Sequence, residues 1–165
     1  MIIGSIRENH NIEKRIAVTP EIIKKYTSLG FEIFLEENYA SHLGINDNEY
    51  SKFGVKFFKD NKKVLTDSDI VIQLGILSDE MTSFMKENKI IIGVLNPYDN
   101  REKLENLIKK NVNVFSLDLL PRITRAQSMD ILSSQANLAG YKAVIESFAN
   151  FEKAIPMMMT AAGTI

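Results

Sequence analysis

The feature that most constrains this chain is a regular alternation between short apolar runs and polar stretches with helical spacing. Six runs rich in Ile, Val and Phe predict β-strands at residues 2–6, 32–35, 55–57, 70–74, 90–95 and 112–117. Each run is too continuously apolar to be buried on one side only, which is typical of strands covered on both faces. The pattern therefore predicts an α/β fold with a mostly parallel sheet.

Helix boundaries are marked between these runs. Thr19 and Pro20 supply a capping residue and a first helical residue, and the apolar spacing that follows ends at Gly30. Shorter helices are predicted from Asn46 or Asp47 up to Gly54, from Ser78 through Met85, and from Asn100 to the pair Lys109 and Lys110. These helices connect successive strands of the sheet.

A longer helix is predicted over residues 128–154, where no proline interrupts an apolar spacing that includes Met129 and Leu132. Small residues recur along it at Ala136, Ala139, Gly140 and Ala143. They would let another backbone approach closely, either in the domain core or in a partner subunit. Pro156 is predicted to end this long C-terminal helix.

Composition excludes several classes of function. The 20 Lys and Arg residues nearly balance the 21 Asp and Glu residues, so no strong field favours nucleic acid or an anionic membrane surface. The absence of cysteine removes disulfides, thiolate nucleophiles and Cys-based zinc sites. The longest apolar run, residues 90–95, is far shorter than the roughly 20 residues that span a bilayer. No direct membrane insertion is therefore expected.

The two histidines do not predict a metal site. His10 and His42 lie in polar segments without a third ligand at metal-binding spacing, so both are expected to be solvated surface residues. A Ser–His–acid triad also lacks the sequence context of a nucleophile elbow. The sequence predicts no metal cofactor.

Polar residues follow the predicted strands, at the edge where an open parallel sheet binds its ligands. Arg7 and Glu8 follow the first strand, Gly75 the fourth, Asn96 the fifth and Asp118 the sixth. Asp118 is placed like the phosphoacceptor of a receiver domain, but that site also needs an acidic pair at the end of the first strand. Because Arg7 and Glu8 stand there instead, the phosphoacceptor hypothesis is disfavoured.

The densest group of polar residues lies just before the long helix. Residues 121–130 contain two guanidinium groups, an amide and a carboxylate: Arg122, Arg125, Gln127 and Asp130. Arginine and a helix N-terminus both suit phosphate or carboxylate, and an amide can bind a carboxamide. The alternative is structural: Ser128 caps the helix, Asp130 complements its dipole in the first turn, and both arginines are solvated.

The glycines limit how this chain can bind a nucleotide. None of the eight glycines forms a Gly-x-Gly pair, so no glycine-rich loop can cradle a pyrophosphate. The chain does not carry its own dinucleotide-binding loop.

Three segments carry a resemblance to a known family. Residues 121–146 (PRITRAQSMDILSSQANLAGYKAVIE) resemble the characteristic segment of the alanine dehydrogenase and pyridine nucleotide transhydrogenase superfamily. Residues 13–20 resemble its N-terminal motif, and residues 160–163 resemble the segment that precedes its NAD-binding domain. The resemblance implies a Rossmann/flavodoxin-like three-layer domain over residues 1–155. It also implies that residues 156–165 begin a linker to a Rossmann domain that this sequence does not contain.

The two branches of the superfamily differ in the residues they need. Alanine dehydrogenases bind their keto acid with an Arg in the N-terminal motif, a Lys after the fourth strand and a catalytic His after the fifth. Arg15 is present, but residues 72–75 and 94–97 contain neither Lys nor His. Direct hydride transfer between two nicotinamides requires positioning and no general acid or base. The residues therefore favour the transhydrogenase branch, with an alanine dehydrogenase-type enzyme as the alternative.

The resemblance implies the N-terminal domain of the NAD(H)-binding alpha subunit of a proton-translocating NAD(P) transhydrogenase. The family's nicotinamide-site residues fall on Arg122, Gln127, Asp130 and Ser133. Arg122 and Gln127 are the expected catalytic pair: Arg122 on the pyrophosphate or carboxamide side, and Gln127 at the nicotinamide ribose or the partner nucleotide. Asp130 and Ser133 are expected to hold the carboxamide and the loop.

The same resemblance implies the partners. They are a second copy of the alpha subunit and the NADP(H)-binding and membrane subunits, with a cytoplasmic, peripheral location on the inner face of the membrane. The 165-residue chain alone is expected to bind NAD(H) weakly and to be inactive, because remote binding energy normally positions the reacting end. A non-catalytic dimerisation module remains the alternative of a different class.

Overall fold

The computed structural model describes residues 1–153, 159–161 and 163–164. The chain divides into two compact units, Met1–Leu119 and Leu120–Ile165. Pro156, the expected end of the long helix, lies outside the described residues, as does most of the expected linker. The domain boundary expected between residues 155 and 156 stays a prediction.

The first unit is built on a six-stranded sheet. Its strands are β1 (Ile2–Ser5), β2 (Glu32–Glu36), β3 (Lys56–Phe58), β4 (Ile70–Gln73), β5 (Ile90–Gly93) and β6 (Asn113–Ser116). The strand order is β3-β2-β1-β4-β5-β6, and every neighbouring pair is parallel. The order reverses beside β1, so β1 and β4 flank the point at which ligands bind in open α/β sheets. The predicted α/β fold and all six strands are confirmed, each to within two residues at either end.

Five helices connect these strands. They are α1 (Pro20–Ser28), α2 (Asp47–Ser51), α3 (Asn61–Asp67), α4 (Asp79–Ser83) and α5 (Arg101–Lys109). The side chains of Thr19 and Ser78 accept hydrogen bonds from the first turns of α1 and α4, as their sequence positions predict. The helix predicted through Met85 ends at Ser83, because the next residues close tighter turns onto Met81 and Thr82. The sequence analysis missed α3, which Asp60 caps.

Two apolar clusters pack against the sheet. Phe34 belongs to one cluster with residues of α3 and α5, while its neighbours Ile33 and Leu35 belong to the other cluster with Ile23 of α1. Successive side chains of a strand point to opposite faces, so these residues show that β2 is covered on both sides. The sheet and its two helical layers form the predicted three-layer arrangement.

Coverage is less complete toward the β6 edge. Ile72, Ile92 and Phe115 form a row across β4, β5 and β6, since each pairs with its neighbour in register. Ile72 and Ile92 are only half-buried and Phe115 is 56% exposed. Their apolar character matches a covered strand, although residues 1–119 leave this row partly open.

A buried tyrosine holds the segment between β1 and α1. The hydroxyl of Tyr39 accepts hydrogen bonds from the backbone N–H groups of Ala17 (3.1 Å) and Val18 (3.3 Å), and it lies 2.8 Å from Ser5 Oγ. Tyr39 is 1% exposed, and burial raises its pKa to about 12. Its hydroxyl therefore anchors the motif of residues 13–20 to the sheet in neutral form.

Replacing Tyr39 by Phe is expected to lower the free energy of unfolding by about 1–3 kcal/mol, because Ser5 and the Val18 N–H then lose a buried partner. Urea denaturation of the chain measures the change. Tyr98→Phe is the matched control, since Tyr98 is 86% exposed and its loss should cost less than about 0.5 kcal/mol. Equal stability of the two variants would contradict an anchoring role for the Tyr39 hydroxyl.

The second unit contains a 3-10 helix (Thr124–Met129), the 20-residue helix α6 (Ile131–Asn150), and a short antiparallel pair, β7 (Met159–Thr160) with β8 (Gly163–Thr164). The predicted long C-terminal helix is confirmed, with shorter bounds. It begins after Asp130, whose carboxylate caps it, so the expected capping role of Ser128 is wrong. It ends at Asn150 because Phe151 has an extended backbone (φ −96°, ψ 118°).

The surface of α6 is unusual for a helix of this length. Large apolar side chains are exposed along it: Leu132, Leu138, Tyr141, Val144, Ile145 and Phe148. The small residues Ala136, Ala139, Gly140 and Ala143 are exposed as well. A helix that is apolar around most of its circumference is normally buried in a larger assembly.

Candidate functional site

The largest polar-lined cavity of the first unit lies where the sequence analysis expected a ligand site, beside the carboxyl ends of β1 and β4. Its volume is about 570 Å³. Apolar side chains form part of the lining: Ile6, Ile12, Ile76, Leu77 and Met81. Polar groups complete it: Arg7, Glu8, Asn9, Glu13, Gln73, Ser78, Asn100 and Lys103. Asn100 and Lys103 were not predicted to lie here, because their approach depends on the position of α5 over the sheet.

Glu8 joins the two strand-end loops. Its carboxylate accepts a hydrogen bond from the N–H of Leu74 at 2.6 Å, and the N–H of Gly75 lies 3.4 Å from each carboxylate oxygen. Gln73 strengthens the same junction by bonding both the N–H and the carbonyl of Ile6. Burial raises the pKa of the Glu8 carboxyl despite these N–H donors, which act to lower it.

The arginines of this region are neutralised by neighbours. Arg7 donates to the buried carboxylate of Glu36 from Nε (2.8 Å), Nη2 (2.6 Å) and its backbone N–H (2.9 Å). Arg15 makes the corresponding pair with Glu13, at 2.9 Å from Nε and 2.6 Å from Nη2, and this pairing lowers the pKa of Glu13. An anionic substrate therefore meets guanidinium groups that already have carboxylate partners.

Replacing Glu8 by Gln is expected to stabilise the chain at neutral pH. The pKa of Glu8 is raised in the folded state, so its contribution to stability is fully present below about pH 4.5 and is lost as pH rises through the folded pKa. Gln resembles the protonated acid and keeps an oxygen for the Leu74 N–H. Thermal unfolding at pH 4 and pH 7 tests this. A higher melting temperature than wild type is expected at pH 7 only, and a lower value at pH 7 would contradict it.

The fifth and sixth strand ends are tied to each other. Asp118 accepts hydrogen bonds from the backbone N–H of Asn96 (3.0 Å) and from Ser116 Oγ (2.7 Å). These bonds give Asp118 a structural role at the end of β6. Asn96 has a left-handed backbone (φ 45°), which Asn tolerates better than most residues.

The second cluster lies entirely in the second unit, where the sequence analysis placed its site residues. A cavity of about 200 Å³ is lined by Arg122, Ile123, Thr124, Ala126, Gln127 and Asp130. The chain positions these residues by turning through the 3-10 helix immediately before α6. Ala126 is the buried residue of that turn, so the neighbouring polar side chains face outward. Ile123, Thr124 and Ala126 were not singled out from the sequence.

Asp130 and Ser133 hold the start of α6. The carboxylate of Asp130 accepts hydrogen bonds from the N–H of Ser133 (3.0 Å) and from Ser133 Oγ (2.6 Å). These bonds lower the pKa of Asp130, and the charge of Arg122 lowers it further. Asp130 is therefore an ionised helix cap that also faces the cavity.

The four residues identified from the resemblance are thus brought together in part. Arg122, Gln127 and Asp130 line one cavity, while Ser133 is connected to it through Asp130. Arg125 lies outside this lining and is exposed. The structural alternative is also partly met, because Asp130 does stabilise the helix N-terminus. Binding of NAD(H) by these residues stays a prediction.

The two histidines differ from the sequence expectation. His42 is exposed, but His10 is half-buried and its ring centroid lies 3.8 Å from that of His42. Within residues 1–153, 159–161 and 163–164, no group of three or more His, Asp or Glu side chains is placed to hold a metal ion. Among the helices of the described residues, none combines the length and hydropathy of a bilayer-spanning segment.

Known proteins resemble this chain along most of its length. The family described as alanine dehydrogenase/PNT, N-terminal domain, matches residues 4–139. An NAD(P) transhydrogenase subunit alpha protein of Rickettsia prowazekii is 39% identical over 169 residues, which cover 100% of this chain and 44% of that protein. Alanine dehydrogenase 1 of Staphylococcus aureus is 25% identical over 145 residues, 88% of this chain and 38% of that protein.

A solved structure agrees with these sequence similarities. The crystal structure of transhydrogenase from Sinorhizobium meliloti has a TM-score of 0.90 and 38% identity, and it covers 100% of this chain and 49% of that chain. The chain therefore spans about half the length of the transhydrogenase relatives that it matches. It is more similar to transhydrogenases than to alanine dehydrogenase.

Proposed function

Because the chain belongs to the alanine dehydrogenase/PNT N-terminal domain family, we propose that it is the N-terminal domain of the NAD(H)-binding alpha subunit of an NAD(P) transhydrogenase. The complete enzyme would transfer hydride between NAD(H) and NADP(H) and couple the transfer to proton translocation. The observation that carries the proposal is the cavity before α6, where Arg122, Gln127 and Asp130 converge.

The side chains of this cavity suit the nicotinamide end of NAD(H). The Arg122 guanidinium is a fixed donor for a pyrophosphate or carboxamide oxygen, and the Gln127 amide can donate and accept toward a ribose or the partner nucleotide. Asp130 would accept from the carboxamide N–H group while Ser133 fixes its carboxylate. Direct hydride transfer needs these groups to position two rings and requires no proton transfer by the protein.

The strand-end cavity supports the choice of branch. A keto-acid dehydrogenase needs a cation for the carboxylate and a proton donor for the carbonyl. Arg15 is already paired with Glu13, Gly75 supplies no cation at the end of β4, and Asn96 supplies no acid at the end of β5. These residues favour hydride transfer between nucleotides over reduction of a keto acid.

The proposal includes partners and a location. A second alpha subunit, an NADP(H)-binding subunit and membrane subunits would complete the enzyme, which would place this domain at the cytoplasmic face of the membrane. Relatives named as subunits of a transhydrogenase support this arrangement. The chain lacks a Gly-x-Gly loop, so its own affinity for NAD(H) should be low. Fluorescence titration with NADH tests that, and tight stoichiometric binding would contradict it.

The deciding experiment uses a complete alpha subunit that contains this sequence together with an NADP(H)-binding partner. Hydride transfer from NADH to an NADP analogue is expected, with no oxidation of NADH when pyruvate and ammonia are supplied. Turnover of pyruvate and ammonia without transfer between nucleotides would instead establish an alanine dehydrogenase.

The exposed apolar surface of α6 favours a second candidate, a non-catalytic dimerisation module. Tyr141, Val144 and Phe148 are each more than half exposed, at 69%, 51% and 52%. Light scattering at high concentration tests this role for the chain. A dimer that the variant Tyr141→Lys converts to a monomer would support assembly through α6, whereas a monomeric wild type would argue against it.

A further inference from the structure

A pair of stacked histidines fastens the segment that follows β1. This segment, residues 7–15, is called the strap. It lines the strand-end cavity with Glu8 and Ile12, and a neighbouring cavity of about 400 Å³ with His10. Asn9 lines both cavities, and Met81 of α4 faces both from the opposite element. The position of the strap therefore determines access to the two cavities.

The strap is attached at both ends by polar groups and in the middle by His10. Arg7 is bound by Glu36, and Glu8 is bound to the loop after β4. His10 stacks on His42 with ring centroids 3.8 Å apart and planes inclined by 34°. His42 reaches the strap a second time, because its Nε2 donates to the carbonyl of Lys14 at 2.7 Å.

The stack accommodates a neutral His10. The Nε2 atom of His10 is buried and has no hydrogen-bond partner in the described structure. An imidazolium needs partners for both of its N–H groups, so the charged ring is poorly served in this position. A buried nitrogen without a partner is costly, which favours movement of the ring toward solvent once the nitrogen carries a proton.

The charged groups around His10 act in the same direction. Arg7 of the strap and His42 oppose a positive charge on His10, and together with burial they lower its pKa. Glu36 of β2 acts in the opposite direction, but its carboxylate already binds Arg7 through two side-chain hydrogen bonds. Glu8 also lines the cavity beside His10, where it accepts from the loop after β4, and Asn61 of α3 adds no charge.

We propose that protonation of His10 separates it from His42, releases the middle of the strap and opens both cavities. The sign follows from linkage: the stacked state holds fewer protons than the released state, so stacking is stable above about pH 6.5 and weakens as pH falls below that value. This inference does not depend on which reaction the complete protein performs.

The test is an NMR titration of the chain from pH 8 to pH 5 that follows the His10 and His42 ring signals and the methyl groups of Ile12 and Met81. Glu8→Gln is the reference background, because the pKa of Glu8 is raised and its titration would otherwise overlap. In this background, His10 is expected to titrate below about pH 6.5, and the Met81 methyl shift is expected to follow the same midpoint.

Two variants made in this background separate the strap from ordinary titration. His10→Gln should make the Met81 and Ile12 methyl shifts independent of pH. His42→Gln keeps a donor for the Lys14 carbonyl but removes the stack, so the midpoint of His10 should rise to about 6.5. A Met81 shift that ignores pH in the reference protein, or that changes equally in the His10→Gln variant, would overturn the proposal. A His42→Gln variant with an unchanged His10 midpoint would do the same if His10→Gln failed to fold.

Discussion

Replacing Gln127 by Asn in a complete alpha subunit is expected to slow hydride transfer by roughly 100-fold while NADH binding stays nearly unchanged. Shortening the side chain by one methylene moves its amide by about 1 Å within the cavity that Arg122 and Asp130 share. The loss should appear in the rate of transfer because a misplaced nicotinamide must pay for alignment in the transition state. Stopped-flow transfer rates and NADH titration measure the two effects separately.

Two further variants test the specificity of that result. Arg122→Lys keeps the charge but removes the planar fork, so it should weaken NADH binding, whereas Arg125→Lys should not, because Arg125 does not line the cavity. Ser128→Ala is the matched control for Gln127, as a neighbour in the same 3-10 helix outside the cavity lining. Equal losses of binding and transfer in Gln127→Asn would refute the positioning role.

The second large effect is expected at Gly93. A Cβ atom at this position would lie 2.2 Å from the backbone oxygen of Gln73 and 3.0 Å from a methyl group of Leu95. Gly93 pairs with Gln73 of β4 and with Ser116 of β6, so the sheet can relieve the clash only by separating central strands. Gly93→Ala should therefore lower the free energy of unfolding by at least about 3 kcal/mol, measured by urea denaturation.

Gly140→Ala is the matched control for Gly93→Ala. Among the described residues, no atom outside the local helix backbone lies within 4 Å of a Cβ built at Gly140, which is in the middle of α6. Alanine has the higher helix propensity, so this variant should stabilise α6 by up to about 1 kcal/mol. Loss of stability at Gly140 comparable to that at Gly93 would mean that the open space around α6 is filled in solution.

The regular elements could be predicted because their signals are local. Apolar runs marked all six strands, and Thr19, Asn46 and Ser78 marked helix starts through their capping chemistry. The start of α6 was misplaced because Ser128 and Asp130 are both good capping residues. Only the backbone path through the 3-10 helix selects Asp130, whose carboxylate then reaches Ser133.

The candidate sites divide in the same way. Arg122, Gln127 and Asp130 lie close together in sequence, so a short turn suffices to bring them to one cavity. The sequence by itself also determined the α/β class and the absence of a dinucleotide-binding loop. The tertiary structure alone decided that Glu8 meets the loop after β4, that Tyr39 holds residues 17 and 18, and that His10 stacks on His42. These contacts join residues far apart in sequence, and they arise from strand order and packing, which local patterns do not specify.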